Sequence, residues 1–175
     1  LSGLIVDIYN GVAVVQCHNR GMSNDLNEIA EALRNLSQLG LTGIYSKDKS
    51  EKRDIESDGT LSASRYLWGI GAVPHVIQEN DKKFLVDWEE GQKTGFFLDQ
   101  RENRQLLMSY SANKHVLNTF CYTGGFSVYA IAANAALVHS VDASERAIAL
   151  ARKNIEVNGY DAHKHGCYVS DTFAF

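Results

Sequence analysis

The sequence predicts an α/β protein in two parts: a small α+β part with β-hairpins, then the opening strands of a parallel, doubly wound sheet. Three observations predict this. Asn10-Gly11 separates two β-prone runs near the start. A second strand–turn–strand pattern follows Val73. After Asn113, apolar strands and helices alternate at the spacing of crossover connections. The expected division is residues 1–74 for the first part and 75–175 for the second.

Leu4 to Tyr9 and Val12 to Cys17 read as strands, because Asn-Gly tolerates the positive φ angles of a type I′ turn. Leu26, Ile29, Ala30, Leu33 and Leu36 form one apolar stripe, which predicts a helix from about Asp25 to Leu36, ended by Gly40. Ile44-Tyr45 reads as a short strand. Residues 46–58 mix charges and have little to bury, so a solvated surface loop is expected there rather than an RNA-contacting arm. Val73 to Gln78 and Lys83 to Trp88 are the next strands, with Glu79-Asn80-Asp81-Lys82 as the turn and Pro74 where its missing N–H is harmless.

Arg101 to about Ala112 reads as a helix with Leu106, Leu107 and Tyr110 on one side. Val116 to Phe120 is an apolar strand, Gly124 to Ala136 an apolar helix and Leu137 to Val141 a second strand. Ser144 to Asn158 is a helix with Ser144 as N-cap and Gly159 beyond its end, burying Ala147, Ile148, Ala151 and Ile155. Cys167-Tyr168-Val169 begins a third strand. Three strands leave an open edge and an uncovered apolar face, so further strands or another chain are expected to cover them.

Bulk properties narrow the class. The 175 residues are 45% apolar and 22% charged, as in an ordinary globular domain. No apolar run approaches the ~18 residues that span a bilayer, and no basic region precedes an apolar stretch at the start, so neither a membrane partner nor a signal peptide is expected. The chain has no initiator Met and is expected to be an internal piece of a longer protein. Cys17, Cys121 and Cys167 are odd in number and far apart, which fits a reducing, cytoplasmic setting. A net charge of −4 lacks the basic footprint of a self-sufficient nucleic-acid binder, so any RNA contact is local or supplied by other segments.

The run Val116-Leu117-Asn118-Thr119-Phe120-Cys121-Tyr122-Thr123-Gly124-Gly125-Phe126-Ser127 carries the chemistry. A strand ends, small residues turn the chain, and a helix begins whose free N–H groups suit a carboxylate or phosphate. About 20 residues on, the next strand ends in Asp142, an acceptor for ribose hydroxyls. The third strand ends in Ser170-Asp171-Thr172-Phe173, polar side chains where an adenine would lie. Three strand ends on one crevice fit a nucleoside ligand. A dinucleotide site would show G-x-G-x-x-G. Here only Gly124-Gly125 occurs, which favours a ligand without pyrophosphate, S-adenosylmethionine.

Gly91-Gln92-Lys93-Thr94-Gly95-Phe96-Phe97-Leu98-Asp99-Gln100-Arg101, followed by Asn118 to Phe126, closely resembles the ribosomal RNA large-subunit methyltransferase I family. Leu1 to Asp7 and Gly43-Ile44-Tyr45 resemble that family's linking region, so the similarity covers nearly the whole chain. The resemblance implies the N-terminal half of a Rossmann-like class I methyltransferase sheet. It also implies a preceding PUA domain and formation of 5-methylcytosine in 23S rRNA. It implies that Lys93, Thr94, Phe97, Asp99 and Gln100 wall the methionine end of S-adenosylmethionine. Phe120, Tyr122, Thr123 and Gly124 would surround the carboxypropyl group, Asp142 would meet the ribose and Asp171 the adenine.

The family's Asp-Pro-Pro-x-Phe motif and its later Cys, which attacks the 6-position of cytosine before methyl transfer and loss of the 5-proton, have no counterpart here. Pro74 is the sole proline and lies upstream of the binding fold. No catalytic residue is therefore assigned, and a fragment inactive on its own is expected. Cys121 reads as structural. Ala132 to Ala136 departs from the family where a Gly is expected near the helix end. His163, His165 and Cys167 alternate, but three donors on one short segment without a partner pair read as a polar loop, not a metal site. The expected partner is ribosomal RNA, naked or partly assembled 23S rRNA, with a homodimer left open. A methyltransferase on another RNA base or on protein, and a non-catalytic nucleoside- or RNA-binding module, remain as alternatives.

Overall fold

Strands β1 (Leu4–Tyr9) and β2 (Val12–Cys17) pair antiparallel through Asn10-Gly11, whose φ values of 43° and 90° are those a type I′ turn requires. The structure is a computed structural model and describes residues 2–47 and 65–175. Most of the charged stretch expected as a surface loop lies outside the described residues.

The chain forms two units, Leu1–His75 with Val86–Phe96, and Val76–Leu85 with Phe97–Phe175. This partition differs from a boundary at 74/75 over Val86–Phe96.

In the first unit, β3 (Gly43–Ser46) pairs parallel with β2, and β4 (Arg65–Gly69) pairs antiparallel with β3, giving the order β1-β2-β3-β4. The helical stripe forms α2 (Leu26–Asn35) as expected; a short α1 (Arg20–Asn24) precedes it, and Asn19 caps α1 by accepting from Met22 N–H at 2.9 Å. Ala13, Val15, Ala30 and Ile44 form the core between sheet and α2, with Leu4, Val6, Leu26 and Leu33 packed around them. Each fully buried Val or Ile contributes roughly 1.5–3 kcal/mol.

In the second unit, β5 (His75–Glu79) and β6 (Lys82–Val86) pair across Asn80-Asp81, with φ values of 46° and 64°. The turn is two residues, tighter than the four expected. Helix α3 (Arg101–Ser111) comes next, then β7 (His115–Thr119), α4 (Gly125–Ala132), β8 (Leu137–Asp142), α5 (Glu145–Glu156) and β9 (His165–Val169). Strands β7, β8 and β9 are parallel and adjacent in chain order, so α4 and α5 are the crossovers. The two helices pack on each other, and α3 packs on α4.

The structure corrects two expectations. Leu106 and Tyr110 are 57% and 70% exposed; α3 buries Arg104 and Ser111 instead, with Leu107 against the α4 core. Helix α4 stops at Ala132, not Ala136, in a left-handed cap at Asn134 (φ 59°). Asn134 N–H donates to Ile131 O at 2.9 Å and Ala135 N–H to Ala130 O at 3.1 Å, so Asn does the work of the expected Gly. Ser144 caps α5 as expected, accepting from Ala147 N–H at 3.2 Å.

Val116 and Val138 point to the helices, where Ala130 meets them. The register places Leu117, His139 and Tyr168 on the other face, where Leu117 is 57% exposed and Phe175 lies against the His139 and Tyr168 rings. Among the described residues, no helix is long and apolar enough to cross a membrane.

Candidate functional site

The second unit brings the ends of its three parallel strands together around one turn. After β7 the chain takes left-handed backbone at Phe120 (φ 52°), Tyr122 (φ 48°) and Gly124 (φ 77°), then enters α4. Aromatic residues rarely adopt that conformation, so it is sustained by what surrounds it. Cys121 N–H donates to Val141 O at 3.0 Å, and Tyr122 N–H to the Asp142 carboxylate at 2.9 Å. Gly124 is required twice: by its φ, and because a Cβ there would lie 3.0 Å from Ala151 Cβ on α5. Among the described residues, no side chain caps the first turn of α4. That leaves its N–H groups aimed at a site suited to a carboxylate.

Asp142 ends β8 beside this turn. One carboxylate oxygen accepts from Tyr122 N–H and the other from Ser144 N–H, each at 2.9 Å. A carboxylate offers about four lone-pair sites, so two such bonds fix its direction and leave acceptor capacity. Phe97 meets Tyr122 edge-on, ring centroids 5.5 Å apart. Asp99 and Gln100 lie on the short turn into α3, where Gln100 donates to Asp99 at 2.9 Å and accepts from Asn103 at 2.9 Å. Asp171, past β9, accepts from Phe173 N–H at 2.8 Å, and the exposed Phe173 ring meets the exposed Phe120 ring at 6.1 Å.

Phe97, Phe120, Tyr122, Thr123, Gly124, Asp142 and Asp171 are thus linked in one unit, with Asp99 and Gln100 on the element directly after Phe97. Lys93 and Thr94 belong to the first unit. Thr94 is buried, and its hydroxyl donates to Asp7 at 2.5 Å and shares a bond with the Tyr9 hydroxyl at 2.9 Å. Lys93 is exposed, in left-handed backbone (φ 49°).

Cys121 is buried in the turn. Burial, then the Asp142 charge and Cys167, push its thiol up to about 12, so it is protonated and unreactive at neutral pH. Behind the turn, Asn118 donates to Ser127, Ser127 and Ser140 share a 2.5 Å bond, and Ser140 meets His165 at 2.8 Å. Burial, with the Arg152 and His139 charges, pulls His165 down to about 4, so its ring is neutral. His165 and Cys167 sit on β9 as side chains of this interior, and no group of three or more His, Cys, Asp or Glu among the described residues could hold a metal ion.

One buried cluster escaped the sequence reading. Arg104, 2% exposed, grips Glu79 through two bonds of 2.7 Å and donates to Phe97 O at 2.9 Å. Tyr129 donates to the same carboxylate at 2.9 Å. Burial pushes the Glu79 carboxyl up, but the Arg104 fork with Tyr129 and Arg101 outweighs it and holds the group below its usual value. An Arg in an amphipathic helix gives no sequence signal for this.

The profile described as S-adenosylmethionine-dependent methyltransferase matches residues 1–173. The chain belongs to this family. A ribosomal RNA large subunit methyltransferase I from Aeromonas hydrophila is 41% identical over 92% of this chain and 40% of its own length. A solved structure described as a SAM-dependent methyltransferase from Streptococcus mutans gives a TM-score of 0.84 at 32% identity, over 98% of this chain and 43% of that one. A methyltransferase solved in complex with SAH gives the same figures. The chain spans about 40% of the length of the curated relatives it matches. The Rossmann-like parallel sheet and the S-adenosylmethionine cofactor expected from sequence are those of the family.

Proposed function

We propose that this chain is the cofactor-holding part of an enzyme that methylates the 5-position of a cytosine in large-subunit ribosomal RNA. The observation that carries the cofactor assignment is the left-handed turn 120–124 feeding an uncapped helix N-terminus beside Asp142. These groups fit S-adenosylmethionine: backbone N–H groups for its carboxylate, Asp142 for its ribose hydroxyls and Asp171 for its adenine edge. The bound cofactor supplies an electrophilic methyl group. Phe97 and Tyr122 would line the site beside it, and the fixed Asp142 carboxylate would orient the cofactor through its ribose. The same-named relatives support ribosomal RNA as substrate, and the Gly91 to Arg101 run supports the cytosine 5-position through its family resemblance. Lys93, Thr94, Asp99 and Gln100 belong to the proposed methionine-end wall on that same resemblance.

In the full-length protein, calorimetric titration with S-adenosylhomocysteine should show one site. Asp142→Ala should weaken it about 10–100-fold, the loss of charge-assisted hydrogen bonds worth about 1.5–3 kcal/mol. Unchanged binding by Asp142→Ala and Gly124→Val would remove the assignment. Nucleoside mass spectrometry of 23S rRNA after reaction should show 5-methylcytosine; label on another base, or on protein, overturns the cytosine reading.

A further inference from the structure

Asn154 on helix α5 and Asn158, two residues past its end, hold the backbone of β6. Asn158 accepts from Lys83 N–H at 2.9 Å and donates to Lys83 O at 2.7 Å. Asn154 accepts from Leu85 N–H at 2.7 Å, but its NH₂ turns the other way and donates to Thr123 O at 2.8 Å. Asn154 is completely buried. A buried carboxamide in a helix interior is costly unless both ends are bonded, and here both are. The partners also fix its orientation, because an N–H needs the oxygen and a carbonyl needs the NH₂.

We infer that Asn154 is a positioning residue for the cofactor turn, holding the Thr123 carbonyl so that residues 120–124 keep the backbone the cofactor requires. This rests on the proposed reading of that turn. Thr123 lies between the left-handed Tyr122 and Gly124. Strained backbone of this kind persists where neighbours over-determine it. The Cys121 N–H is held by β8, the Tyr122 N–H by Asp142 at the end of β8, and the Thr123 carbonyl by α5. Asn158 has the same edge-holding task as Asn154 and no bond to the turn among those described, which makes it the internal control.

The test uses the full-length protein and S-adenosylhomocysteine as the probe. Asn154→Asp keeps the acceptor for Leu85 N–H and removes the donor to Thr123. It should weaken binding by about tenfold or more, whereas Asn158→Ala should lower Tm and leave Kd within about twofold. In Asn154→Ala, amides of Cys121 to Gly124 should exchange faster while those of β7 and β8 stay protected; in Asn158→Ala they should not. Should Asn154→Asp fail to fold, this exchange pattern decides, and uniform acceleration across the unit overturns the inference. If the wild type binds, Gly124→Val does not, and both Asn154 variants bind like wild type, the positioning role is overturned and the cofactor reading stands. If the wild type does not bind, or Gly124→Val binds equally, the cofactor reading fails and this inference with it.

Discussion

The hairpin turns and the turn after β7 use the same left-handed backbone for opposite reasons. At 10–11 and 80–81 it falls on Asn, Gly, Asn and Asp, residues that adopt it at little cost. At 120 and 122 it falls on Phe and Tyr, at about 1–2 kcal/mol each. The hairpin residues take that backbone by their own chemistry, although Asn80 also donates to the Tyr129 hydroxyl at 3.0 Å and Gly11 O accepts from Thr42 N–H at 2.7 Å. The second turn is held from outside, by Val141, Asp142 and Asn154. The turn that local chemistry disfavours, yet the fold enforces from several directions, is the one proposed to hold the cofactor.

The largest test of this contrast is in the β5–β6 hairpin, whose turn is local but whose anchor is not. Arg104→Ala removes the fork on the buried Glu79 carboxylate and should cost about 3–5 kcal/mol in urea unfolding, whereas Asp81→Gly, at the other left-handed position of the turn, should stay within about 0.5 kcal/mol. Similar values for the two would break the distinction. Next comes Gly124→Val, which combines a disfavoured φ with a Cβ pressed on Ala151. It should lose about 3 kcal/mol, against about 0.5 kcal/mol or less for Gly40→Asn, where the φ of 56° suits Asn and nothing lies within 4 Å of a Cβ.

A pH profile probes the polar line behind the turn. His165 titrates near 4 when folded against 6.5 in the free side chain, so the unfolded chain takes up its proton first as pH falls. Its stabilisation is complete above pH 6.5 and is lost between there and about 4. Allowing for partial exposure, this amounts to about 1–2 kcal/mol. Glu79 loses its contribution only as pH falls through the carboxylate range, so the difference between wild type and His165→Gln from pH 6.5 to 5 isolates the histidine. A wild-type Tm flat over that interval would contradict the buried, neutral assignment. The smallest effect is at Phe120, whose ring is 65% exposed. Phe120→Gly should leave stability unchanged or raise it by up to about 1 kcal/mol, by relieving strain, while weakening S-adenosylhomocysteine binding.

Local signals explain what was legible. Asn10-Gly11, the Ser144 cap and Gly159 stop of α5, and the strand–helix alternation after Asn113 each depend on a few adjacent residues, and the elements formed in the expected order, with α4 ending early. Gly124 and Asp142 were readable as candidates because the first opens a helix just after a strand and the second ends a strand. Helix α1 and strand β4 escaped because five residues with no apolar period leave no pattern. The outward Leu106 and Tyr110, and the inward Arg104, show hydropathy overruled by a partner: Glu79 lies 25 positions away in sequence.

By itself the sequence determined the parallel α/β order, the hairpins and the strand ends at which a nucleoside ligand would sit, because periodicity and turn chemistry act over a few neighbouring residues. Only the tertiary structure decided that Phe120 and Tyr122 take left-handed backbone, that Arg104 rather than Leu106 faces inward, that Asn134 replaces the expected glycine cap, and that Asn154 reaches the Thr123 carbonyl. Apart from the Asn134 cap, which Asn permits and the packing of α4 places, these depend on hydrogen-bond partners distant in sequence. Their energies appear only when the chain has closed around them.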